Sequence, residues 1–213
     1  MPKEAVGLQE AVTFLKSNSG AKFDETIELH VRLGIDTAKS EQTVKGSAQL
    51  PSGSVSKKHV TVFTSGEARQ ADAKAAGANV VGGEELIATV AEKGTLDTDI
   101  VIATPEMMPQ LAKIARILGP KGLMPNPKVG TVTKDVAETI AALLGGKISF
   151  KMDQSGNIHE PVGKVSWDAE KTVANIEALI EAIRAARPVT AKGQFIHSVT
   201  VCSTMSPGVS VHL

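Results

Sequence analysis

Hydrophobic positions towards both ends of the chain follow helix and strand periods in turn. In VGLQEAVTFLKS (residues 6–17), apolar side chains recur at the spacing of one helix face. In ETIELHVRLGI (residues 25–35), they alternate with polar ones, which predicts a half-buried strand. A second short segment, QTVKGSAQL, is followed by the Pro/Gly/Ser loop PSGSVSKK, and further strands are predicted on both sides of the turn QSGN and in QFIHSVTVCST. A long amphipathic helix is predicted to begin after Asp168, its N-cap, and to end before Pro188.

The middle of the chain has a different pattern, in which short apolar strands alternate with helices. The predicted strands are HVTVFTS, ANVVGG and TDIVIATPE, and the predicted helices are GEARQADAKAAG, EELIATVAEK, MMPQLAKIARILG and KDVAETIAALLGG. This alternation is typical of a parallel sheet with helices on its faces. The segments PSGS and LLGG border the region. The sequence therefore predicts an α/β and α+β protein of two domains. A Rossmann-like parallel-sheet domain at 55–145 is inserted into a discontinuous, split α+β domain made of residues 1–54 and 146–213.

The overall charge counts against a nucleic-acid partner. The 213 residues include 23 Lys and Arg and 23 Asp and Glu, so the formal net charge is zero, whereas nucleic-acid-binding proteins are usually basic. The charges are unevenly distributed along the chain, however. No acidic residue occurs between Glu106 and Asp135 or after Glu181, while basic residues occur in both stretches. Because the basic residues are segregated along the chain, the zero net charge does not exclude an RNA partner.

The sequence contains no motif for a cofactor, a metal ion or a catalytic site. The dinucleotide fingerprint G-x-G-x-x-G and the Walker P-loop are both missing. The single cysteine, Cys202, excludes an internal disulfide and a multi-cysteine zinc site, and the five histidines lack metal-binding spacing. We therefore expect no cofactor, no metal and no enzyme. The alternative is a nucleotide-dependent enzyme on the Rossmann-like domain, and it would need the fingerprint that is missing.

The expected location follows from three further features of the sequence. No run of eighteen apolar residues occurs, so we expect no membrane span. The first residues, MPKEAVGLQEAV, lack the apolar core of a secretion signal, and a lone cysteine fits a reducing compartment. We expect a cytoplasmic protein.

Two short segments are candidates for a binding surface. In AKFDET (residues 21–26), Phe23 follows Lys22 just before a predicted strand, and its local sequence favours a core position at the strand start. In STMSPG (residues 203–208), Met205 stands among small hydroxyl residues beside a Pro-Gly turn. Small polar side chains can approach a folded RNA closely and contact its 2′-hydroxyls. For Met205, an RNA contact and an inward-packed turn both stay open.

Six segments in a fixed order carry a resemblance to a known family. The sequence resembles the L-one family of large-subunit ribosomal proteins, the proteins of the mobile stalk beside the exit site, in KFDETIELHVRLGID, VVGGEELI, DIVIATPEMMP, ILGPKGLMPNPKVGTVT, GNIHEPVGK and SVTVCSTMSPGV. The resemblance implies a protein that binds the ribosomal RNA of the stalk and assists release of deacylated tRNA. It also implies binding to the protein's own messenger RNA, with repression of translation. We expect a ribosomal location and a monomer off the ribosome.

The resemblance also implies which residues contact RNA. The family's contact positions correspond to Lys22, Phe23, Thr26, Ser198, Thr204, Met205 and Ser206. By resemblance, Lys22 neutralises a phosphate, and Phe23 and Met205 cover apolar surfaces of the RNA. Ser198 and Thr204 donate or accept hydrogen bonds at ribose hydroxyls. The family usually has glycine where this chain has Ser206, so this side chain either crowds the RNA backbone or adds a contact.

Overall fold

The computed structural model describes residues 5–35, 37, 43–55, 58–96, 98–127, 130–133, 135–191 and 193–212. The chain divides into two compact units: unit 1 comprises Met1–Val55 and Gly146–Leu213, and unit 2 comprises Ser56–Gly145. The strands are β1 (Thr26–Leu33), β2 (Lys45–Gln49), β3 (Val60–Phe63), β4 (Val80–Gly82), β5 (Ile100–Ala103), β6 (Lys147–Lys151), β7 (Asn157–Lys164), β8 (Ile196–Ser203) and β9 (Val209–Val211). The α-helices are α1 (Leu8–Ser17), α2 (Glu67–Ala75), α3 (Glu84–Lys93), α4 (Met108–Leu111), α5 (Ala115–Leu118), α6 (Val136–Leu144) and α7 (Ala169–Ala185).

Unit 1 contains a four-stranded antiparallel sheet in the order β7-β1-β8-β9. Strand β1 is central and alternates as its sequence predicts, with Ile27, Leu29, Val31 and Leu33 buried. These side chains share a core with the buried faces of α1 and α7, because alternation in a half-covered antiparallel sheet directs apolar side chains to one side. The other side is polar and is here called the open face. It carries Thr26, Glu28, His30 and Arg32 of β1, His159 of β7, and Ser198, Thr200 and Cys202 of β8.

Helix α7 packs closely against β7 and holds a buried amide. A Cβ atom at Gly163 would lie 2.7 Å from Thr172 Oγ1, so only glycine allows this approach. Asn175 is fully buried, and its Nδ2 donates to Val162 O at 2.8 Å while its Oδ1 accepts from Ser52 N at 3.0 Å. One side chain therefore connects the helix, β7 and the segment after β2.

The prediction for the start of α7 is confirmed in position. Asp168 occupies the N-cap, but its carboxylate makes no capping hydrogen bond. Its Oδ2 instead lies 3.3 Å from Lys171 Nζ in an exposed ion pair. Asp168 thus holds the N-cap position through its extended backbone, and its side chain does not cap the helix.

Strands β2 and β6 form a two-stranded antiparallel pair at the border of unit 1. Two glycines with positive φ lie side by side there, Gly53 at 87° and Gly146 at 107°. A Cβ atom at Gly146 would lie 2.7 Å from Gly53 Cα, and Leu50 N donates to Gly146 O at 3.0 Å. The chain therefore leaves unit 1 and returns to it at adjacent points.

Unit 2 contains the parallel sheet that the sequence predicts, in the order β4-β3-β5. Strand β3 is buried at all four positions, as expected for a strand covered on both faces. One hydrophobic cluster centres on Phe63 and another on Val62. The mixed α/β and α+β fold class is confirmed. Among the described residues, no helix is long and apolar enough to cross a membrane.

The single helix predicted over MMPQLAKIARILG is wrong in detail. This segment forms a 3₁₀ turn at Pro105–Met107, then α4, a second 3₁₀ turn at Ala112–Ile114, and α5. Pro105 and Pro109 each stand in a first turn, where the missing amide hydrogen costs nothing. The buried side chains keep their helical spacing across the interruption, since Leu111, Ile114 and Leu118 all face the core.

The proline- and glycine-rich segment after α5 is a packed loop of unit 2. Leu123 and Met124 pack against the Phe63 cluster, and Leu123 N donates to Leu118 O at 3.0 Å. Asn126 N donates to Thr131 Oγ1 at 2.8 Å, and Ala103 N donates to Thr131 O at 3.0 Å. The segment therefore covers one end of the unit 2 core and lengthens the sheet beside β5. Lys128 and Val129 of this segment lie outside the described residues.

Candidate nucleic-acid interface

Two loops of unit 1 meet at the edge of the open face where β1 begins and β8 ends. The first loop comprises residues 18–25, and the second loop comprises residues 204–208. Antiparallel pairing sets Ile27 opposite Ser203 and Thr26 opposite Lys164, so the start of β1 lies between the ends of β8 and β7. Sheet register thus brings together residues that are far apart in the sequence.

Glu25 joins the two loops. Its side chain is 2% exposed, and its Oε2 accepts hydrogen bonds from Ser203 Oγ at 2.5 Å and Met205 N at 3.2 Å. Its Oε1 accepts from Ala21 N at 3.3 Å. The Ser203 hydroxyl lowers the pKa of the Glu25 carboxyl, and the amides of Met205 and Ala21 add to this effect against the opposing effect of burial. The sequence carries no signal for this role of Glu25, because a glutamate before a strand is usually solvated.

Thr26 and Thr204 continue the junction between the loops. Thr26 N donates to Thr204 Oγ1 at 3.0 Å, and Thr204 N donates to Thr26 O at 3.1 Å. Lys164 Nζ donates to Thr26 Oγ1 at 2.7 Å, which places a positive charge beside the start of β1. Lys164 was also missed, although it closes the segment GNIHEPVGK. The two threonine hydroxyls therefore stabilise the loop geometry, while the Thr204 side chain is exposed and that of Thr26 is half-buried.

Two large apolar side chains project from these loops into solvent. Phe23 of the first loop is 55% exposed, and Met205 of the second loop is 71% exposed. The core position that local sequence favoured for Phe23 is therefore wrong, because the buried residue at this strand entrance is Glu25. Lys22 beside Phe23 is exposed as well. The loops thus present an aromatic ring, a thioether and a lysine from a rigid base.

The hydroxyl of Ser206 is used within its own turn. It accepts from Ser203 N at 2.9 Å and lies 3.3 Å from Pro207 O, to which it can donate. Ser206 N donates to Ser203 O at 3.1 Å. The side chain folds back on the second loop and stabilises the turn that presents Met205.

Ser198 lies apart from the other predicted contact residues. It is exposed on the open face opposite Arg32, five residues before Ser203 along β8. At the rise of an extended strand, this separation is about 17 Å. Six of the seven predicted residues are therefore grouped at the loops, and Ser198 shares only the open face with them.

Exposed aromatic, sulfur and lysine side chains on a rigid support are typical of a macromolecule-binding protein. Residues 15–207 match the model of the ribosomal protein L1p/L10e family. The large ribosomal subunit protein uL1 of Solibacter usitatus (strain Ellin6076) is 48% identical over 204 residues, which are 96% of this chain and 86% of that protein. The protein of the same name from Kosmotoga olearia (strain ATCC BAA-1733 / DSM 21960 / TBF 19.5.1) is 48% identical over 208 residues, 98% of this chain and 89% of that protein.

The chain belongs to the ribosomal protein L1p/L10e family. The resemblance seen in the sequence is confirmed, and so is the ribosomal location. The protein is a structural constituent of the large subunit in a family that binds ribosomal RNA, and it is not an enzyme. The alternative of a nucleotide-dependent enzyme is thereby excluded.

Proposed function

We propose that the two loops and the open face bind the ribosomal RNA of the mobile stalk in the cytoplasmic ribosome. The observation that carries this proposal is the exposure of Phe23 and Met205 on loops that Glu25 fixes together. Large apolar side chains cost free energy when they are exposed to water, and a surface that recovers this cost on binding is an expected recognition site. Because Glu25 fixes the loops in advance, little conformational entropy is lost when RNA binds.

Each predicted residue has a chemical role in this proposal. Lys22 neutralises a phosphate, and Phe23 packs on a sugar–base surface. Thr26 and Thr204 offer hydroxyls to ribose 2′-hydroxyls, which distinguish RNA from DNA. Met205 covers an apolar face of the RNA.

Ser198 and Ser206 have more limited roles. Ser198 contacts RNA only if the RNA extends along the open face, about 17 Å from the end of β8. Ser206 acts through the turn that its hydroxyl stabilises, by holding the backbone of the second loop in place.

Shape rather than net charge is expected to carry the affinity. The chain has 23 basic and 23 acidic residues, so its net charge gives no overall attraction to RNA. The proposed surface includes Lys22, Lys164 and, on the open face, Arg32, which would account for a small number of phosphate contacts. The dependence of affinity on salt should accordingly be shallow.

The test is a filter-binding titration of the full chain against a stalk-base fragment of large-subunit RNA, with an unrelated hairpin as control. A salt series gives the number of phosphates neutralised. The proposal expects selective binding with a shallow slope, and it expects Met205→Ala and Thr204→Ala each to cost about 1–3 kcal/mol. Equal affinity for both RNAs, or unchanged binding in both variants, would contradict it.

We further propose that the bound protein assists release of deacylated tRNA from the exit site and represses translation of its own messenger RNA. The second activity would use the same surface, because a messenger RNA that mimics the stalk presents the same contacts. Competition between the two RNAs in the filter assay tests the shared surface. A tRNA-release assay on ribosomes with and without the protein tests the first activity. Light scattering of the free protein tests the expected monomer.

A further inference from the structure

Glu28, His30 and Cys202 form a cluster of metal-ligand types on the open face of unit 1. Strand pairing sets Glu28 opposite Cys202 on β8 and His30 opposite His159 on β7. His30 Nε2 lies 3.0 Å from Cys202 Sγ and 3.9 Å from Glu28 Oε2. The ligand atoms of Glu28, His30 and Cys202 all lie within 4.8 Å of one another. The cluster therefore has the size of a single ion site.

The donor set matches the chemistry of zinc. Thiolate, imidazole and carboxylate are its usual protein ligands, with Zn–S near 2.3 Å and Zn–N about 2.0–2.1 Å. In a tetrahedral site these bond lengths require S···N and N···O separations of about 3.5 Å. The observed separations of 3.0 Å and 3.9 Å lie on either side of this value. The third pair, Cys202 Sγ and the Glu28 carboxylate, lies within 4.8 Å, so side-chain rotation must bring the ligand atoms to tetrahedral distances. Calcium and magnesium prefer oxygen ligands and do not fit.

A second histidine and a carboxylate support His30 from behind. His30 Nδ1 lies 2.7 Å from His159 Nδ1, and His159 Nε2 lies 3.5 Å from Asp153 Oδ2. When His30 Nε2 binds an ion, its neutral ring carries the proton on Nδ1 and donates it to His159 Nδ1. This places the proton of His159 on Nε2, facing Asp153. A hydrogen-bond acceptor on the other ring nitrogen is the usual support for a metal-binding histidine, and His159 supplies it here.

The carboxylate at the end of this chain is itself held in place. Asp153 Oδ1 accepts hydrogen bonds from Asn157 N at 2.7 Å and from Ser155 N at 2.9 Å. The backbone amide of Asn157, with further hydrogen bonds from its side chain, Ser155 and His159, lowers the pKa of Asp153 against the effect of desolvation. Asp153 is therefore a fixed acceptor for His159.

We propose that Glu28, His30 and Cys202 bind one zinc ion, with His159 as the positioning residue for His30. The fourth coordination position faces solvent, since the side chains of His30 and Glu28 are 29% and 43% exposed. Binding replaces the Cys202 S–H bond by a Zn–S bond and releases the thiol proton to solvent, without electron transfer. This inference goes beyond RNA binding and does not depend on it.

The sequence predicts no metal site, because no histidine has a metal-binding spacing. Spacing motifs detect ligands on one helix or one loop, whereas these ligands come from two neighbouring strands. His30 and Cys202 are 172 residues apart in the chain. Only the register of β1 with β8 brings them together.

The test is a Co²⁺ titration of the chelator-treated full chain without RNA. Cobalt bound to a thiolate gives a charge-transfer band in the near ultraviolet, and a tetrahedral site gives visible d–d bands. Because the chain has one cysteine, the charge-transfer band reports on Cys202 alone. We expect both bands to saturate at one cobalt per chain and to disappear when Zn²⁺ is added. No thiolate band with excess cobalt, or half an ion per chain, would overturn the proposal.

Variants assign the ligands. Cys202→Ser should abolish the charge-transfer band, and His30→Gln and Glu28→Gln should each weaken binding. His159→Ala should lower zinc affinity roughly 10- to 100-fold while the charge-transfer band remains. His59→Gln is the matched control, because His59 is an exposed histidine of unit 2. Circular dichroism of each metal-free variant checks the fold. Unchanged affinity in both His30→Gln and Glu28→Gln would contradict the site.

Discussion

The Ser203 hydroxyl donates to the Glu25 carboxylate at 2.5 Å, across 178 residues of sequence. This hydrogen bond connects the entrance of β1 with the end of β8, and the geometry of both loops that we propose to bind RNA depends on it. The carboxylate also accepts from the amides of Met205 and Ala21, so it uses both oxygens. The conformation of both loops therefore depends on one buried side chain of unit 1.

Glu25→Gln should destabilise unit 1 at neutral pH, because an amide group offers N–H donors to partners that are donors themselves. The pKa of Glu25 is lowered from 4.5, so its contribution is complete above about pH 4.5. That contribution is lost as the pH falls through the lower pKa of the folded state. Urea unfolding at several pH values should therefore show a difference between wild type and variant that shrinks in acid.

Fluorescence of Trp167 is a suitable signal for this experiment, since it is the only tryptophan and lies in unit 1. Glu177→Gln on the exposed side of α7 is the control. A difference between wild type and Glu25→Gln that stays constant down to strongly acidic pH would show that the carboxylate charge is not the cause.

Phe23→Ala should weaken RNA binding while leaving stability nearly unchanged. Loss of stacking on an RNA surface typically costs about 1–3 kcal/mol, whereas truncating an exposed side chain changes the free energy of unfolding by less than about 0.5 kcal/mol. Filter binding and urea unfolding measure the two quantities separately. Val189→Ala, at another exposed apolar residue of unit 1, should change neither. Equal RNA affinity for Phe23→Ala and Val189→Ala would remove Phe23 from the interface.

Lys22→Gln should reduce the salt dependence of RNA binding. A lysine that neutralises one phosphate contributes about 1 to the slope of log affinity against log salt concentration. The measurement is the same titration at several salt concentrations. Lys113→Gln, at an exposed lysine of unit 2, is the control and should leave the slope unchanged. If the two variants gave the same slope, Lys22 would not contact phosphate.

Asn175→Ala should destabilise unit 1 by about 1–3 kcal/mol, because Val162 O and Ser52 N would lose their partner in a buried site. Trp167 fluorescence during urea unfolding measures this change. Glu177→Ala on the same helix keeps the helix length and should shift stability by less than about 0.5 kcal/mol. A loss as small as that of Glu177→Ala would mean that water replaces the amide.

Local patterns predicted most of the elements of this fold. The alternation in β1 and the apolar runs in β3 and β5 were sufficient to predict these three strands, because each strand has one or two faces that must be buried. The continuous helix over residues 107–119 was wrong, since periodicity records which side chains are buried and cannot distinguish an α-helix from linked 3₁₀ and α turns.

The candidate site was less predictable than the fold. Phe23 has the local sequence of a core residue, and its exposure follows from the burial of Glu25 two positions later. Glu25 and Lys164 acquire their partners through strand register, which depends on the whole sheet. The resemblance to a family implied contact residues in both loops, but it did not indicate what holds the loops together.

Gly53 and Gly146 lie in contact close to the points where the chain leaves unit 1 and returns to it. Strands β2 and β6 are antiparallel, with Gln49 opposite Lys147, so they have the geometry of an ordinary hairpin. The place of the hairpin turn is taken by Ser56–Gly145, a complete unit with its own sheet and core. Because the two ends are already adjacent, a few glycines could replace that unit without disturbing a single strand pair of unit 1. In topological terms, unit 2 occupies the position of the loop that connects the two strands of a β-hairpin.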